Sequence, residues 1–318
     1  MESKALILPT PDAINEMYSE LDTSETKLDL DVKILKEWMR KQPHLPNPDD
    51  GEKKVDEYRI KNILLMCKNS LEKTKTALDQ HYTIKRLVPE YFSNWDPANP
   101  ELTSSMEQSC VFPFPKPTHE GYRVSLYCVR DGYADCKYVF NDIVKFSFMT
   151  LDLRIGKLDM CKKNIIIVDY KNLTMNHVAA MLPSIKKVVA SYHAGFPSRV
   201  HSIHIVNTNS FVQPLLNMVL SALKKKTYER VFIHKSAEEL KTYIDPSVLP
   251  LNYGGTYPKT SDEMIVDWNH EVMKHREWFL IQTSIVADNS KRPKNSTNNL
   301  DNLEKTIIGG SFRKLAVD

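Results

Sequence analysis

The run Ile165-Ile166-Ile167-Val168 constrains the fold of this chain more than any other feature. Four consecutive β-branched residues cannot alternate between core and solvent, so they fit a strand covered on both faces. Around this strand the chain alternates. A strand carrying Tyr122, Val124, Leu126 and Cys128 on one face comes first, then a helical stretch at 138–151 with Val139, Ile143 and Phe146 on one side. Helical spacing over 176–193, a strand at 200–206, a helix at 210–224 and a strand at 230–234 follow it. Strands that alternate with helices need crossover connections. The expected fold is therefore α/β, with a parallel or mixed sheet flanked by helices.

The flanks read differently. Residues 12–93 are helical in pattern: Val32, Leu35, Trp38 and Met39 share one face, and Tyr58, Ile60, Ile63, Leu64 and Leu65 mark a second helix. A third opens at Asn69-Ser70-Leu71-Glu72, read as an N-x-x-E variant of the capping box with Asn69 as the cap, and continues through Leu78, Tyr82 and Leu87. Pro97, Pro100, Pro113, Pro115 and Pro117 then break regular structure. A further helix starts at Thr260-Ser261-Asp262-Glu263 and carries Trp268, Met273, Trp278 and Phe279. Residues 288–302, rich in Asn, Ser and Lys, read as a flexible tether. The expected division is a helical N-terminal domain (1–93), a Pro-rich connection (94–120), an α/β domain (121–283) and a flexible tail that packs back on the body (284–318).

Composition excludes several classes. The 318 residues are 42% hydrophobic and 26% charged, ordinary for a globular protein. No window approaches the ~18 consecutive apolar residues of a membrane span. The first twenty residues lack the long apolar stretch of a secretory signal, so the expectation is a cytoplasmic protein that begins at its mature N-terminus. Five cysteines (Cys67, Cys110, Cys128, Cys136, Cys161) show no CxxC spacing and fit free thiols. The Asn295-Ser296-Thr297 sequon is read as chance. With 43 basic and 40 acidic side chains the net charge is only +3, so bulk charge gives no reason to expect a nucleic-acid partner. No serine sits in a G-x-S-x-G elbow, and Gly254-Gly255 opens no phosphate loop. His201 and His204 are three apart in a strand and point to opposite faces, so they cannot share a metal. The expectation is no enzyme and no metal.

The helix at 210–224 has one broad apolar stripe. Phe211, Leu215, Leu216, Val219 and Leu223 recur at helical spacing, and Met218 and Leu220 widen it. Periodicity alone assigns such a stripe to ordinary core.

Residues 196–255 run FPSRVHSIHIVNTNSFVQPLLNMVL, then KKKTYERVFIH, then AEELKTYIDPSVLPLNYGG. A Phe-Pro before a strand ending in Val-Asn, a helix, a basic turn and a closing Leu-Pro-x-x-Tyr-Gly-Gly resemble the CRAL-TRIO lipid-binding family. The nearest group is that of the tocopherol-transfer and retinaldehyde-binding members. Leu71-Glu72 through Tyr82, and Pro89-Glu90-Tyr91-Phe92, look like that family's helical N-terminal domain. The ending Gly310-Ser311-Phe312-Arg313-Lys314-Leu315 is similar to the tail of arthropod members. The resemblance covers roughly residues 25–318. It implies a mixed sheet as the floor of a lipid cavity and a mobile gate helix, which would be 210–224. The chain departs from the family at Leu64-Leu65-Met66-Cys67-Lys68, where an Arg-rich stretch is common, and around the central strand, where it reads Lys163-Asn164-Ile165 and Asp169-Tyr170-Lys171-Asn172.

By the same resemblance, the cavity is lined by Val144, Ser147, Val168, Met175, Val188, Ser191, Tyr192, Phe196 and Ile203, with Phe211, Leu215, Leu216 and Val219 from the gate. Ser147, Ser191 and Tyr192 would meet a polar group of the ligand. Arg199, His201, Lys224, Lys225, Lys226 and Arg230 would form a phosphoinositide-binding membrane patch, the alternative being a solvated charge run. His201 stands where the family has a cation. The expected function is binding and transfer of a tocopherol, retinoid, carotenoid or related lipid by a monomer that visits membranes transiently. A bound hydrophobic ligand is expected and no cofactor. The competing reading is a phosphoinositide-reading adaptor with a structural lipid in its cavity.

Overall fold

In the computed structural model of the chain, the described residues are 6–293 together with 304, 305 and 307. The Asn295-Ser296-Thr297 sequon, the ending Gly310–Leu315 and most of the expected tether lie outside them.

The N-terminal part is a helical bundle. Helix α1 (Pro11–Glu20) is capped by Thr10, and α2 (Glu25–Arg40) by Ser24, each hydroxyl accepting from a first-turn N–H. Helix α3 (Glu57–Met66) meets α4 (Leu71–Leu87) through Lys68 and Asn69, both left-handed at φ 58° and 54°. The α4 cap is therefore Ser70, not Asn69: Asn is one of the few residues that tolerates the left-handed turn position, and Ser70 Oγ accepts from Lys73. Leu28, Leu35, Ile60, Leu64 and Leu78 are fully buried in this bundle's core.

Residues 94–120 are more than an irregular connection. After the short α5 (Pro89–Phe92) they form α6 (Pro100–Gln108) and β1 (Ser109–Pro113). The prolines sit where each element tolerates them. Pro100 opens α6 behind the Asn99 cap, and Pro113 ends an edge strand.

The sheet has the order β1-β2-β3-β4-β5, with β2 (Tyr122–Val129), β3 (Lys163–Asp169), β4 (Val200–Val206) and β5 (Val231–Ile233) mutually parallel and β1 antiparallel to β2. It is the mixed sheet expected, with an antiparallel edge that the sequence did not announce. Helix α7 (Phe140–Leu153) links β2 to β3. The helix expected at 176–193 is two, α8 (Met175–Met181) and α9 (Ile185–Gly195), because Pro183 lacks the N–H a continuous helix needs. Helix α10 (Gln213–Ala222) stops one residue short of Leu223, which is extended, and α11 (Lys225–Tyr228) is a single turn. The Thr260–Glu263 capping box opens α12 (Ser261–Lys274) as expected, but α13 (Arg276–Gln282) is separate, broken at His275.

One sheet face is dense. Val124, Leu126, Ile165, Ile167 and Val206 are buried there. The other face borders a cavity.

A buried charge cluster fixes the helical bundle to α7 and α13. Arg59 Nη2 donates to Asp152 Oδ2 at 3.0 Å and to Gln282 Oε1 at 3.1 Å. Lys85 Nζ lies 3.8 Å from the same carboxylate and 4.9 Å over the Trp95 ring. His81 Nδ1 donates to the Gly195 carbonyl at 2.7 Å, which leaves Nε2 to accept from Arg59 at 3.3 Å. The start of the expected tether is held too. Arg292 is buried and forks onto Asp79 at 2.6 and 2.8 Å, so residues 284–293 are packed against α4.

Candidate ligand cavity and its basic mouth

The pleat of the sheet builds the cavity floor. Side chains of alternate residues share a face, so the registered rows Tyr127–Val168–Ile205 and Ser125–Ile166–Ile203–Val231 run across it. Helix α7 contributes Ile143, Val144, Ser147, Phe148 and Leu151, and α9 contributes Val188, Val189, Tyr192 and His193, with Phe196 just beyond. Helix α10 closes one wall with Leu215, Val219 and Leu220, followed by Leu223. The space is about 850 Å³, within the range of about 300–1,000 Å³ common for small-molecule pockets.

Of the lining residues expected, Val144, Ser147, Val168, Val188, Tyr192, Phe196, Ile203, Leu215 and Val219 border this space. Four do not. Met175 is the first residue of α8 and is 64% exposed. Ser191 is fully buried on another side of α9. Phe211 and Leu216 pack with Val129, Tyr170, Leu173 and Val178 in a small core beside the cavity. A helix has one stripe but here two neighbours, and the stripe is divided between them. Ser147 spends its proton on the Ile143 carbonyl at 2.9 Å, leaving only lone pairs for a ligand.

Polar groups gather at one end. Tyr127, Tyr192 and Ser198 border both the cavity and a recess of about 30 Å³, large enough to hold water. In the recess Arg154 is held by Asp159 and Asn164, each at 2.8 Å. Burial, then the neighbouring Tyr192, pushes the Tyr127 phenol up, so both tyrosines stay neutral donors. Among the described residues His193 Nε2 is buried without a hydrogen-bond partner, and burial followed by the Lys224 charge lowers its pKa.

The same end opens into a ring of cations. Arg199, Lys224, Lys226 and Arg230 border it, as do Lys68, Lys73 and Lys163 and one acid, Glu20. Among the described residues, no carboxylate is in ion-pair distance of Lys224, Lys225, Lys226 or Arg230, although Arg230 donates to the Val200 carbonyl. Lys225 is exposed and does not border the opening. His201 differs from the expectation. Asn164 pairs with Val200 and Ile165 with Ser202, so His201 is the unpaired residue of a bulge, its ring tilted against that of Tyr122 with centroids 4.7 Å apart. Burial, then Lys163 and Arg230, lowers its pKa, which disfavours the cationic form. Ile166 was legible from parity with Val168. Lys68 and Lys73 were not, because they reach the mouth from the other domain.

With this geometry in place, the comparisons agree with the fold. Residues 107–255 match the CRAL/TRIO domain and residues 24–102 the Pinta-like UBA domain. Rat clavesin-1 (Rattus norvegicus) is 23% identical over 252 residues, covering 78% of this chain and 70% of its own. The mouse alpha-tocopherol transfer protein-like protein (Mus musculus) is 25% identical over 276 residues, covering 85% and 77%. Its human counterpart (Homo sapiens) is 26% identical over 251 residues, covering 78% and 71%. Residues 107–255 of the chain therefore form a CRAL/TRIO domain.

Proposed function

We propose that this protein binds a hydrophobic small molecule in the sheet–α10 cavity and exchanges it at membranes bearing phosphorylated headgroups, without transforming it. One observation carries the reading: a single space runs from an apolar end under α10, past Tyr127 and Tyr192, to an opening where Arg199, Lys224, Lys226 and Arg230 gather, with Glu20 on Arg199 as the one carboxylate pair among them in the described residues. An amphiphile fits it with hydrocarbon inward and polar group toward the tyrosines. Burying ~400 Å² of ligand hydrocarbon at ~25 cal/mol per Å² supplies about 10 kcal/mol before the costs of binding. The names of the tocopherol-transfer-like relatives make a tocopherol or related isoprenoid the first ligand to test.

The protein would work from the cytoplasm as a monomer with transient membrane contact. No described helix is long and apolar enough to cross a membrane. Arg199, Lys224, Lys226 and Arg230, joined by Lys68, Lys73 and Lys163, would hold the phosphates, each cation worth on the order of 1 kcal/mol at an anionic surface. Helix α10 would be the part that opens, since it leans on few neighbours besides α9 and presents an apolar face that lipid can receive.

The test is solvent extraction of the purified protein followed by mass spectrometry. One stoichiometric isoprenoid supports the carrier. Bulk phospholipid alone favours the adaptor with a structural lipid, and an empty cavity contradicts both.

A further inference from the structure

The opening of the cavity holds one acid among its cations, and that acid belongs to a helix with no other part in the site. Glu20 is the last residue of α1 and borders the opening. Its carboxylate pairs with Arg199 Nη2 and, at 3.1 Å, with Lys162. Lys162 in turn holds Glu16 at 2.9 Å. Arg199 is only half used: Nη1 is buried and has no hydrogen-bond partner among the described residues. We infer that Glu20 is an internal stand-in for a phosphate, a carboxylate that occupies Arg199 until a phosphorylated headgroup takes its place and so sets how strongly the mouth holds such groups. The inference rests on the reading of the mouth as a phosphate site.

The geometry makes the exchange inexpensive. A guanidinium offers two edges that match phosphate and carboxylate alike, so the two anions compete for one donor set. When phosphate takes Arg199, Glu20 keeps Lys162, and no carboxylate is left without a partner. Met17 and Ala13 stay buried and hold the body of α1 in place, so only the Glu20 side chain needs to move. Among the described residues, the other cations of the mouth have no such competitor. Arg199 is therefore the one phosphate ligand whose availability the chain itself regulates, and Glu20 is its positioning residue.

The experiment compares full-length wild type, Glu20→Gln, Arg199→Ala and the double variant on phosphatidylcholine vesicles with and without phosphatidylinositol 4,5-bisphosphate. Glu20→Gln is expected to tighten binding to the phosphorylated vesicles about fivefold, the worth of one charge at such a surface. In the Arg199→Ala background the same change is expected to do nothing, because the competition needs Arg199. Glu16→Gln, which removes an equal charge that touches only Lys162, leaves binding unchanged. A parallel titration with soluble inositol trisphosphate locates the gain. Tightening there too assigns it to the phosphate, and tightening on vesicles alone assigns it to the lipid-borne headgroup. Unchanged or weaker binding by Glu20→Gln, or an equal gain without Arg199, overturns the inference. If wild type itself ignores the phosphorylated lipid, the phosphate reading of the mouth falls first. Thermal unfolding of each variant confirms that the fold is intact.

Discussion

Two groups of charges, both where the helical bundle meets the α/β domain, are built on opposite plans. Around Asp152 the chain buries Arg59, Lys85 and His81 with Gln282 and surrounds them with apolar side chains. At the mouth, Lys224 and Lys226 stand in solvent with no acid beside them among the described residues. A buried ion is tolerable only when its partners replace water, and removing one partner leaves the rest uncompensated. A solvated cation has no such need. Its field is available to an incoming anion. The first cluster positions helices α3, α4, α7 and α13, and the second meets what comes from outside.

The largest effect that would test this contrast is on stability. Asp152→Ala is expected to cost about 3–5 kcal/mol in chemical denaturation, since Arg59 and Lys85 lose their common carboxylate. A loss under about 1 kcal/mol would mean the cluster is not what joins the two parts. Next comes Lys224→Glu/Lys226→Glu. It should weaken binding to phosphatidylinositol 4,5-bisphosphate vesicles at least about 30-fold, on ~1 kcal/mol per lost cation. Its unfolding free energy should stay within about 0.5 kcal/mol of wild type, as for surface changes that break no contact. Equal losses of both in the two variants would erase the distinction.

A third effect is the share of the pH dependence that the buried cluster contributes. Burial pushes His81 down to about 3 against the pull of Asp152, so the unfolded chain binds this proton first as pH falls. Stability from His81 is thus complete above about 6.5 and is lost progressively toward pH 3. Burial would raise Asp152, but Arg59 and Lys85 hold it at about 2, so its contribution is lost between about pH 4 and 2. His81→Gln should flatten the upper part of this profile in urea midpoints measured from pH 7 to 4. An unaltered slope would assign the acid sensitivity elsewhere.

The same contrast explains what the sequence revealed. The mouth was legible where its residues are neighbours: Lys224, Lys225 and Lys226 form a run, and Arg230 follows four residues on. The buried cluster left no trace, because Arg59 and Asp152 are distant in the chain and each looks like an ordinary surface charge. The β3 floor was half legible. Four apolar residues announced a strand covered on both faces, but nothing in the run says that Ile167 meets a packed core and Val168 a space. The gate helix was read as one stripe with one use, whereas Leu216 and Phe211 serve a neighbouring core. Strand β1 was hidden by the prolines that bound it, and Pro183 was passed over within a periodic pattern that it in fact divides.

The central claim is that the cavity and the cationic mouth work as one device. It is tested most directly by loading the protein with a fluorescent tocopherol analogue and measuring release into vesicles. The account predicts release at least several-fold faster into phosphatidylcholine vesicles containing phosphatidylinositol 4,5-bisphosphate than into phosphatidylcholine alone, with the difference abolished in Lys224→Glu/Lys226→Glu. Equal release into both vesicle types by the wild-type protein, with the analogue bound, would contradict it.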